Sequence, residues 1–489
     1  MKRIFFILLI LCSFNSLSAQ NTFFSHYRSS ENRIIYRSIE TINHNYILCG
    51  SSSIGSKTEP CSFLLKLDHE GSALQEETYN RSCGSVFCIL QKSAINPDEF
   101  LITESLYSSP RNSMKIYRVN DDLQFNLFKE FQFTDSLETT VQYSINLGDS
   151  IFFMALYKSS ENLSNLSLLK LNMIDSTNSS FIPVSTQYRI PSGLIYDTLN
   201  QKIKLAYSYS ALAKDTFHHI STFDTDLNLI ASCNPYPDFI SEMRIQPMDQ
   251  SYYLISGAIE KPFIKSEKLN AFKVDLATNE IVDSIQLNYG SDTITYPGGG
   301  KNMLVTDSCI WIVGMYNIVI ITHPWSYEPG WVQVSKLTKN FELISQHYYG
   351  GDGAYTPFDI IETSDHGILI SGGYFNPNAV PSRRKMDPFV IKTNSDGIVV
   401  NAENHDLPVA QEAIVFPNPG NEYLQVKLAA QINKAHIRIF DRAGKLLISS
   451  PVDISSGMVS TVRLKSGTYI YKIFSDNRLI GSGKWVKMP

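Results

Sequence analysis

A chain of 489 residues, 43% hydrophobic and 12% aromatic, can bury a large core and is too long for one ordinary domain. Charged residues make up only 18% and Ala-, Glu- and Lys-rich runs are missing, which argues against a helical bundle and for an exported all-β protein. The formal charge is -5: Lys2 and Arg3 account for +2 and residues from Ile414 onward for +7, leaving -14 on the stretch between. An acidic body argues against nucleic acid as the main partner, and the opposite charge of the tail suggests separate modules.

Residues 1–19 have the build of a secretory signal peptide. Lys2-Arg3 precedes an apolar run from Ile4 to Cys12, and small and polar residues follow through Ser18-Ala19. The run is too short to span a bilayer as a stable helix, and no later run suffices, so no transmembrane segment is expected. Leu11 before Cys12 is not the small residue that lipid attachment requires. Six further cysteines permit disulfides in an exported chain, with Cys49–Cys61 and Cys83–Cys88 as candidate pairs. Free thiols are an equal expectation for Cys233 and Cys309, and no CxxC spacing marks a metal ribbon.

From Tyr46 a pattern repeats. An apolar run ends in small residues (Tyr46 to Gly50), a polar loop follows, and a second run carries a basic residue near its end (Phe63 to Asp68). A turn with Gly71 leads to a third run. Apolar runs of four to six residues bounded by Gly, Asn and Asp are strands. Equivalent positions in successive copies are Lys66, Arg118, Lys170, Phe223, Lys273, Lys336 and Lys392, a spacing of about 50 residues. Several strands per unit at this period predict a seven-bladed β-propeller over residues 20–404, a wide sandwich array being the alternative. Asn21 to Tyr27 and Ile398 to Val400 both resemble outer strands, and either could complete the last blade. Residues 405–413 read as a linker.

The last stretch, 414–489, has its own rhythm. Tyr423 to Leu428 and Ala435 to Phe440 alternate with period two, and Thr468 to Ile473 follows Ser466-Gly467. Short turns between alternating strands predict a small antiparallel, Ig-like β-sandwich. Its motif residues are Phe416, Pro417, Asn418 and Pro419, then Gly444, then Gly467 and Tyr469, and last Lys484 and Lys487. In this order and spacing they resemble the type A C-terminal sorting domain of the type IX secretion system of Bacteroidetes. The resemblance implies passage through the periplasm, recognition by the outer-membrane machinery, and release or attachment at the cell surface. Departures are Phe416 where the family often has Tyr, and the tail Lys487-Met488-Pro489. The body resembles, less specifically, the propeller-repeat cargo regions of exported proteins of that phylum, a likeness of fold and not of activity. Asp135-Ser136-Leu137, Asp149-Ser150-Ile151 and Asp292-Thr293-Ile294 are similar to O-glycosylation sites there.

Catalytic motifs are missing: there is no HExxH, GxSxG or phosphate-binding loop. Tyr296 to Lys301 is glycine-rich but reads as a connection between blades. His218 and His219, adjacent on a strand, point to opposite faces and cannot share a metal. Asp224-Thr225-Asp226 and Asn394 to Gly397 read as turns rather than calcium loops. Trp325, Tyr327, Trp331 and Gly350 to Gly353 mark the longest unit, whose loop could bind a sugar or peptide or simply cover the next blade. An enzyme at the propeller axis needs carboxylates, His or Arg converging from several blades, and the aligned repeats show no such set. The sequence therefore predicts a non-enzymatic binding module with no metal and no cofactor, taking a glycan or protein ligand. A propeller hydrolase or lyase, or a structural surface component, is the alternative.

Overall fold

The computed structural model describes residues 21–488 except 30, 54–59, 80–83, 94–95, 107–112, 134–137, 148–150, 160–163, 173, 175–178, 186–188, 211–215, 234–239, 262–263, 288–292, 319–327, 378–384, 400–412, 429–433, 442–444, 454–456 and 476–477. No helix occurs among the described residues. The chain divides between Glu403 and Asn404 into a body and a C-terminal domain. The expected signal peptide and almost all of the expected linker lie outside the described residues, as do Cys83, Trp325, Tyr327, Gly444 and most of the three Asp-Ser/Thr motifs.

The body begins with β1 (Phe23–His26) and continues as antiparallel meanders of four strands. They are β2 (Asn32–Glu40), β3 (Tyr46–Ser53), β4 (Cys61–Leu67) and β5 (Ala73–Tyr79); β6 (Ser85–Lys92), β7 (Glu99–Leu106), β8 (Ser113–Asn120) and β9 (Phe125–Gln132); β10 (Glu138–Leu147), β11 (Ile151–Ser159), β12 (Ser164–Asn172) and β13 (Ser179–Ser185); β14 (Arg189–Asp197), β15 (Lys202–Ser210), β16 (Thr216–Phe223) and β17 (Leu229–Cys233); and β18 (Ile240–Pro247), β19 (Tyr252–Lys261), β20 (Ile264–Asp275) and β21 (Ile281–Gln286). The next sheet holds β22 (Thr295–Pro297) and β23 (Met303–Val305), both paired with β24 (Ile310–Tyr316), then β25 (Gly330–Leu337) and the first half of β26 (Leu343–Glu362). The second half of β26 opens the last sheet, with β27 (Ile368–Phe375) and β28 (Met386–Thr393). These four-stranded sheets resemble propeller blades.

β1 supplies the fourth strand of the last sheet, running antiparallel to β28 with Phe23 opposite Lys392 and His26 opposite Phe389. Of the two candidate closing segments, Asn21 to Tyr27 therefore holds the position. Ile398 and Val399 follow a turn outside any strand, with Val399 buried in the neighbouring core.

The apolar strands carry little alternation because both of their faces are covered. β4 is buried at every position, and so are β27 and β28. The hydrophobic clusters lie between sheets rather than within them. One joins Ile47 and Leu64 of the first sheet to Phe100 and Ile102 of the second. Others repeat this step by step around the body, and the last joins Leu369 and Val390 to Phe63 and Leu65 of the first sheet. The sheets form a closed ring whose core is the sum of its interfaces.

The position that marked each repeat, basic in every unit except at Phe223, sits on the third strand of each sheet, and three of the lysines reach the turn that follows the third strand of the next sheet. Lys66 Nζ lies 3.3 Å from Asp121 Oδ1, Lys170 Nζ 3.0 Å from Asp226 Oδ1, and Lys336 Nζ donates to Ser395 O at 2.7 Å. Those turns share one construction. Asp224 Oδ1 accepts from the N–H groups of Asp226 and Asn228, and Asn394 Oδ1 from those of Asp396 and Ile398, so the two oxygen-rich stretches are turns. The fourth turn residue is left-handed: glycine at Gly71 and Gly397, but Leu123, Leu227 and Phe341 elsewhere. A left-handed non-glycine costs roughly 1–2 kcal/mol. Burying each of these side chains between sheets offsets it with about 1.5–3 kcal/mol.

Cys61 is disulfide-bonded, whereas Cys49 and Cys88 are free thiols. Neither expected pair, Cys49–Cys61 or Cys83–Cys88, is therefore the one formed. Cys49 is fully buried inside the first interface and serves as a small apolar side chain. Cys233 and Cys309 are free as well.

The C-terminal domain packs two sheets face to face. One orders β29 (Ala413–Phe416), β30 (Tyr423–Leu428) and β33 (Met458–Ser460); the other orders β32 (Leu446–Asp453), β31 (Lys434–Phe440), β34 (Gly467–Ser475) and β35 (Arg478–Lys487). Leu424 and Val426 of the first meet Ile437, Ile473 and Trp485 of the second in one core. The predicted alternation is observed: Leu424 and Val426 are buried while Tyr423, Gln425 and Lys427 are exposed.

The last sheet of the ring holds an ion pair between a buried lysine and a partly exposed carboxylate. Lys392 Nζ donates to Asp365 Oδ2 at 2.8 Å and Oδ1 at 3.0 Å. Burial pushes the Asp365 carboxyl up, but hydrogen bonds from Lys392 and Thr363 and the lysine charge outweigh it and hold the group below its ordinary range. A depressed carboxylate contributes stability above its unfolded value near 3.9 and loses it as pH falls toward the folded value. Asp365→Asn should therefore cost about 1–2 kcal/mol at pH 7, screening by solvent included, with the deficit shrinking below about pH 4. Urea unfolding across pH measures it.

Candidate functional site

The innermost strands of the ring share an irregularity. Each loses register once along its length: β2 between Ile35 and Arg37, β6 between Phe87 and Ile89, β10 between Val141 and Tyr143, β14 between Pro191 and Gly193, β18 between Ser241 and Arg244, and β26 between Pro357 and Asp359. In the remaining sheet the inner strand is broken outright into β22 and β23. A bulge bends the strand and re-aims a side chain. Repeated at equivalent points of successive sheets, it turns a set of residues toward the axis. A cavity of about 390 Å³ lies there, lined by residues from the inner strand of every sheet.

Four charged residues of this cavity come from four different sheets. Arg37 stands on β2, Arg244 on β18, Lys301 between β22 and β23, and Asp359 on β26. The convergent set that the aligned repeats did not show is thus present. It escaped notice because bulges leave no mark on an apolar run and because Lys301 belongs to a segment expected to connect blades. Gly298 to Gly300 is instead an insertion within one inner strand. A Cβ on Gly300 would sit 2.3 Å from Phe358 O, and one on Gly298 2.9 Å from Pro357 O, so only glycine lets this backbone lie against β26. That close approach carries Lys301 to the axis.

Asp359 is 3% exposed. Its Oδ2 accepts from the Ser38 N–H at 2.7 Å, and its Oδ1 has no hydrogen-bond partner. Burial raises its pKa, against the opposing charges of Lys301 and Arg37. Burial likewise lowers the pKa of Lys301, with Asp359 opposing and Arg37 adding to the shift. Arg37 donates to the carbonyls of Tyr36 (2.7 Å) and Gln142 (3.0 Å), and Arg244 to those of Met243 (2.9 Å) and Gly299 (3.2 Å). Main-chain carbonyls thus hold both guanidinium groups. Asn302, 2% exposed, accepts from Ser256 Oγ at 3.0 Å while its Nδ2 has no partner. Such a set can bind a polar small molecule, and a raised carboxyl facing a lowered ammonium can also exchange protons.

The aromatics of the longest unit behave differently. Trp331 is buried against Tyr316 and Gly351 rather than exposed, and Gly350 to Gly353 lie within β26. Beside them His26 Nε2 bonds Tyr355 OH (2.8 Å), which donates to Asp352 (2.5 Å). This network ties the closing strand β1 to β26, two strands beyond its partner β28. His218 and His219 both lie on β16, where His219 stacks on Tyr207.

In the C-terminal domain the two ends of the motif meet. Asn418 Nδ2 donates to Lys484 O (2.7 Å), and the Val486 N–H donates to Asn418 Oδ1 (2.9 Å). Trp485 Nε1 donates to Pro417 O (2.8 Å). Lys487 Nζ donates to Asn421 O (2.6 Å) and Tyr469 OH to Lys465 O (2.6 Å). The peptide bonds before Pro417 and Pro419 are cis. Phe416 is exposed, and Gly467 opens β34 with open space around its Cα. Asn418 thus acts as a clasp between the first and last segments of the domain. A residue the motif reading passed over, Gly420, completes it: a Cβ there would lie 2.8 Å from Pro417 O and 2.9 Å from the Trp485 ring.

Residues 414–487 match the secretion system C-terminal sorting domain family. No curated protein matches the chain. Among solved structures, a Drosophila semaphorin 2a is similar at 8% identity and a TM-score of 0.47, covering 96% of this chain and 97% of that one. The β-propeller domain of the trilobed protease of Pyrococcus furiosus is similar at 9% identity and 0.43, covering 77% and 99%. A prolyl endopeptidase is similar at 10% identity and 0.42, covering 81% of this chain but 53% of that one, so the chain spans about half the enzyme's length. The propeller architecture rests on the sheet topology above and not on these likenesses.

Gly420→Ala should destabilise the C-terminal domain by about 1–3 kcal/mol, the ordinary cost of overpacking a filled site. Hydrogen exchange at the β34 and β35 amides of the full chain should accelerate, with the body's amides unchanged.

Proposed function

We propose that this chain is a cargo of the type IX secretion system. In this reading a signal peptide at 1–19 takes it to the periplasm, and an Ig-like sandwich at 414–489 then presents it to the outer-membrane machinery. The cargo is a seven-bladed propeller at 20–404 joined by a linker at 405–413, and it acts at the cell surface or in the medium. The sorting-domain match over residues 414–487 carries the export reading. The ring closed through β1 supports the blade count, each interface having its own cluster of buried residues.

The cargo's role in this reading is to bind a small polar ligand in the axial cavity. The observation behind it is the meeting of Arg37, Arg244, Lys301 and Asp359 from four sheets, with a buried carboxylate oxygen left unpaired. Unpaired buried polar atoms cost free energy that a ligand can recover. A second reading, a hydrolase or lyase using Asp359 and Lys301 as an acid–base pair, draws on their opposed pKa shifts.

Deleting residues 414–489 should leave the body in the periplasm, read by fractionation and immunoblotting. Continued appearance of the truncated chain at the surface or in the medium would refute the export reading. A glycan and peptide array probed with the full chain tests binding. The axial reading predicts that the captured ligand is lost on Lys301→Met.

A further inference from the structure

Building on the export reading, we propose that the outward face of the sheet β32, β31, β34 and β35 docks an acidic patch on a protein of the outer-membrane machinery. Alternation points Ile437 and Ile439 of β31 into the core and leaves Arg438 and Phe440 on the other face. In the same way β34 turns Ile470 and Lys472 outward, and β35 turns Lys484 outward beside the buried Trp485. The register then gathers three cations on adjoining strands. Arg438 lies directly opposite Lys472, and Lys484 is opposite Ile470, two residues before Lys472.

Like charges set opposite one another destabilise a sheet, and nothing nearby offsets these. Among the described residues no carboxylate lies within ion-pair distance of Arg438, Lys472 or Lys484. The described acids of the domain stand elsewhere. Glu422 precedes β30 in the other sheet, Asp441 accepts from the Lys445 N–H (2.9 Å) in the turn after β31, and Asp453 stands opposite Lys434 at the end of the sheet. Arg438 lies over the Phe474 ring, 5.0 Å from its centroid. That stacking holds the guanidinium in place and leaves its N–H edge for carboxylates, which it binds in pairs. Asn418 grips the main chain of Lys484 through the carbonyl, so the clasp also fixes the origin of an outward ammonium.

The chemistry of the face selects its partner. Cations without counter-charges call for an acidic surface, and such complementarity speeds encounter and fixes orientation. An anionic bilayer calls in addition for apolar side chains that can sink into it. The two aromatic rings of this face, Phe440 and Phe474, are half-buried instead. Four strands of seven residues span roughly 20 by 25 Å at ordinary spacing and rise. That area falls short of the ~800 Å² per partner of a stable complex and suits a contact that is made and released during export.

The test combines Arg438→Gln, Lys472→Gln and Lys484→Gln in the full chain. The control combines Lys427→Gln, Arg463→Gln and Lys465→Gln, an equal loss of charge away from this face. The face variant should keep its melting temperature, yet reach the surface or medium at least tenfold less and accumulate in the periplasm. The control should be exported as the unaltered chain is. Lys472→Gln alone, which relieves the like-charge pair, should lower export at least threefold without lowering the melting temperature. A photo-crosslinker in place of Ile470 should mark an outer-membrane protein at a segment rich in Asp and Glu. Normal export of the face variant, an equal defect in the control, or crosslinks to a segment without acidic residues would overturn the proposal. Two further outcomes overturn it by naming another occupant. One is sedimentation of the full chain with phosphatidylglycerol vesicles that the face variant loses, which assigns the face to lipid. The other is protection of Lys472 and Lys484 from acetylation, relieved by high salt, which assigns it to the acidic body of the same chain. The export reading fails separately, if the chain lacking 414–489 still reaches the surface or medium.

Discussion

Burial between neighbouring sheets is the interaction on which the body depends. No four-stranded sheet here owns a core. Ile47 and Leu64 are removed from water only by Phe100 and Ile102 of the next sheet, and so on around the ring. Such a chain of half-cores has an exposed face at each end unless the last sheet meets the first. β1 makes that meeting covalent in sequence terms, because the strand that precedes the first sheet is the outer strand of the last. Phe23 packs with Tyr46 and Leu67 of the first sheet while its own strand pairs with β28. Tyr27 OH donates to Gly71 O across the same seam at 2.7 Å.

The same arrangement decides where polar groups can stand. Along the interfaces, a lysine on the third strand spans to the next turn and satisfies its ammonium on a carboxylate or carbonyl, which fixes the sheets in register. At the axis there is no next sheet to lean on. Inner strands converge, and their bulges turn side chains into the space they enclose. Arginines there spend hydrogen bonds on main chain, and Asp359 keeps one oxygen unpaired. The ring thus leaves unpaired polar atoms of Asn302 and Asp359 at its centre and buries apolar side chains between its sheets.

The C-terminal domain solves a different problem. It has one core of its own between two sheets, and its strands alternate because one face of each sheet meets water. Its motif residues are clustered by structure as well as by sequence, since Asn418 and Trp485 bind the start of the domain to its end. Several residues that identify the family by pattern are therefore those that close the sandwich.

The sequence by itself determined the elements and their grouping. Strand pairs from Phe100–Val119 to Gly367–Lys392 were legible because strand periodicity and turn residues are local, and the third-strand lysines kept the repeat in phase. The sorting-domain motif was legible for the same reason, its pieces being short and ordered. Only the tertiary structure decided what depends on three-dimensional neighbours. It chose β1 over Ile398 to Val400 as the closing strand, since both read alike and pairing alone separates them. It left Cys49 and Cys88 as thiols, because cysteines close in sequence need not be close in space. It assembled Arg37, Arg244, Lys301 and Asp359, which lie up to 322 positions apart. Bulges and a glycine insertion aim those side chains, and hydrophobic pattern records burial, not the direction in which an irregular strand points.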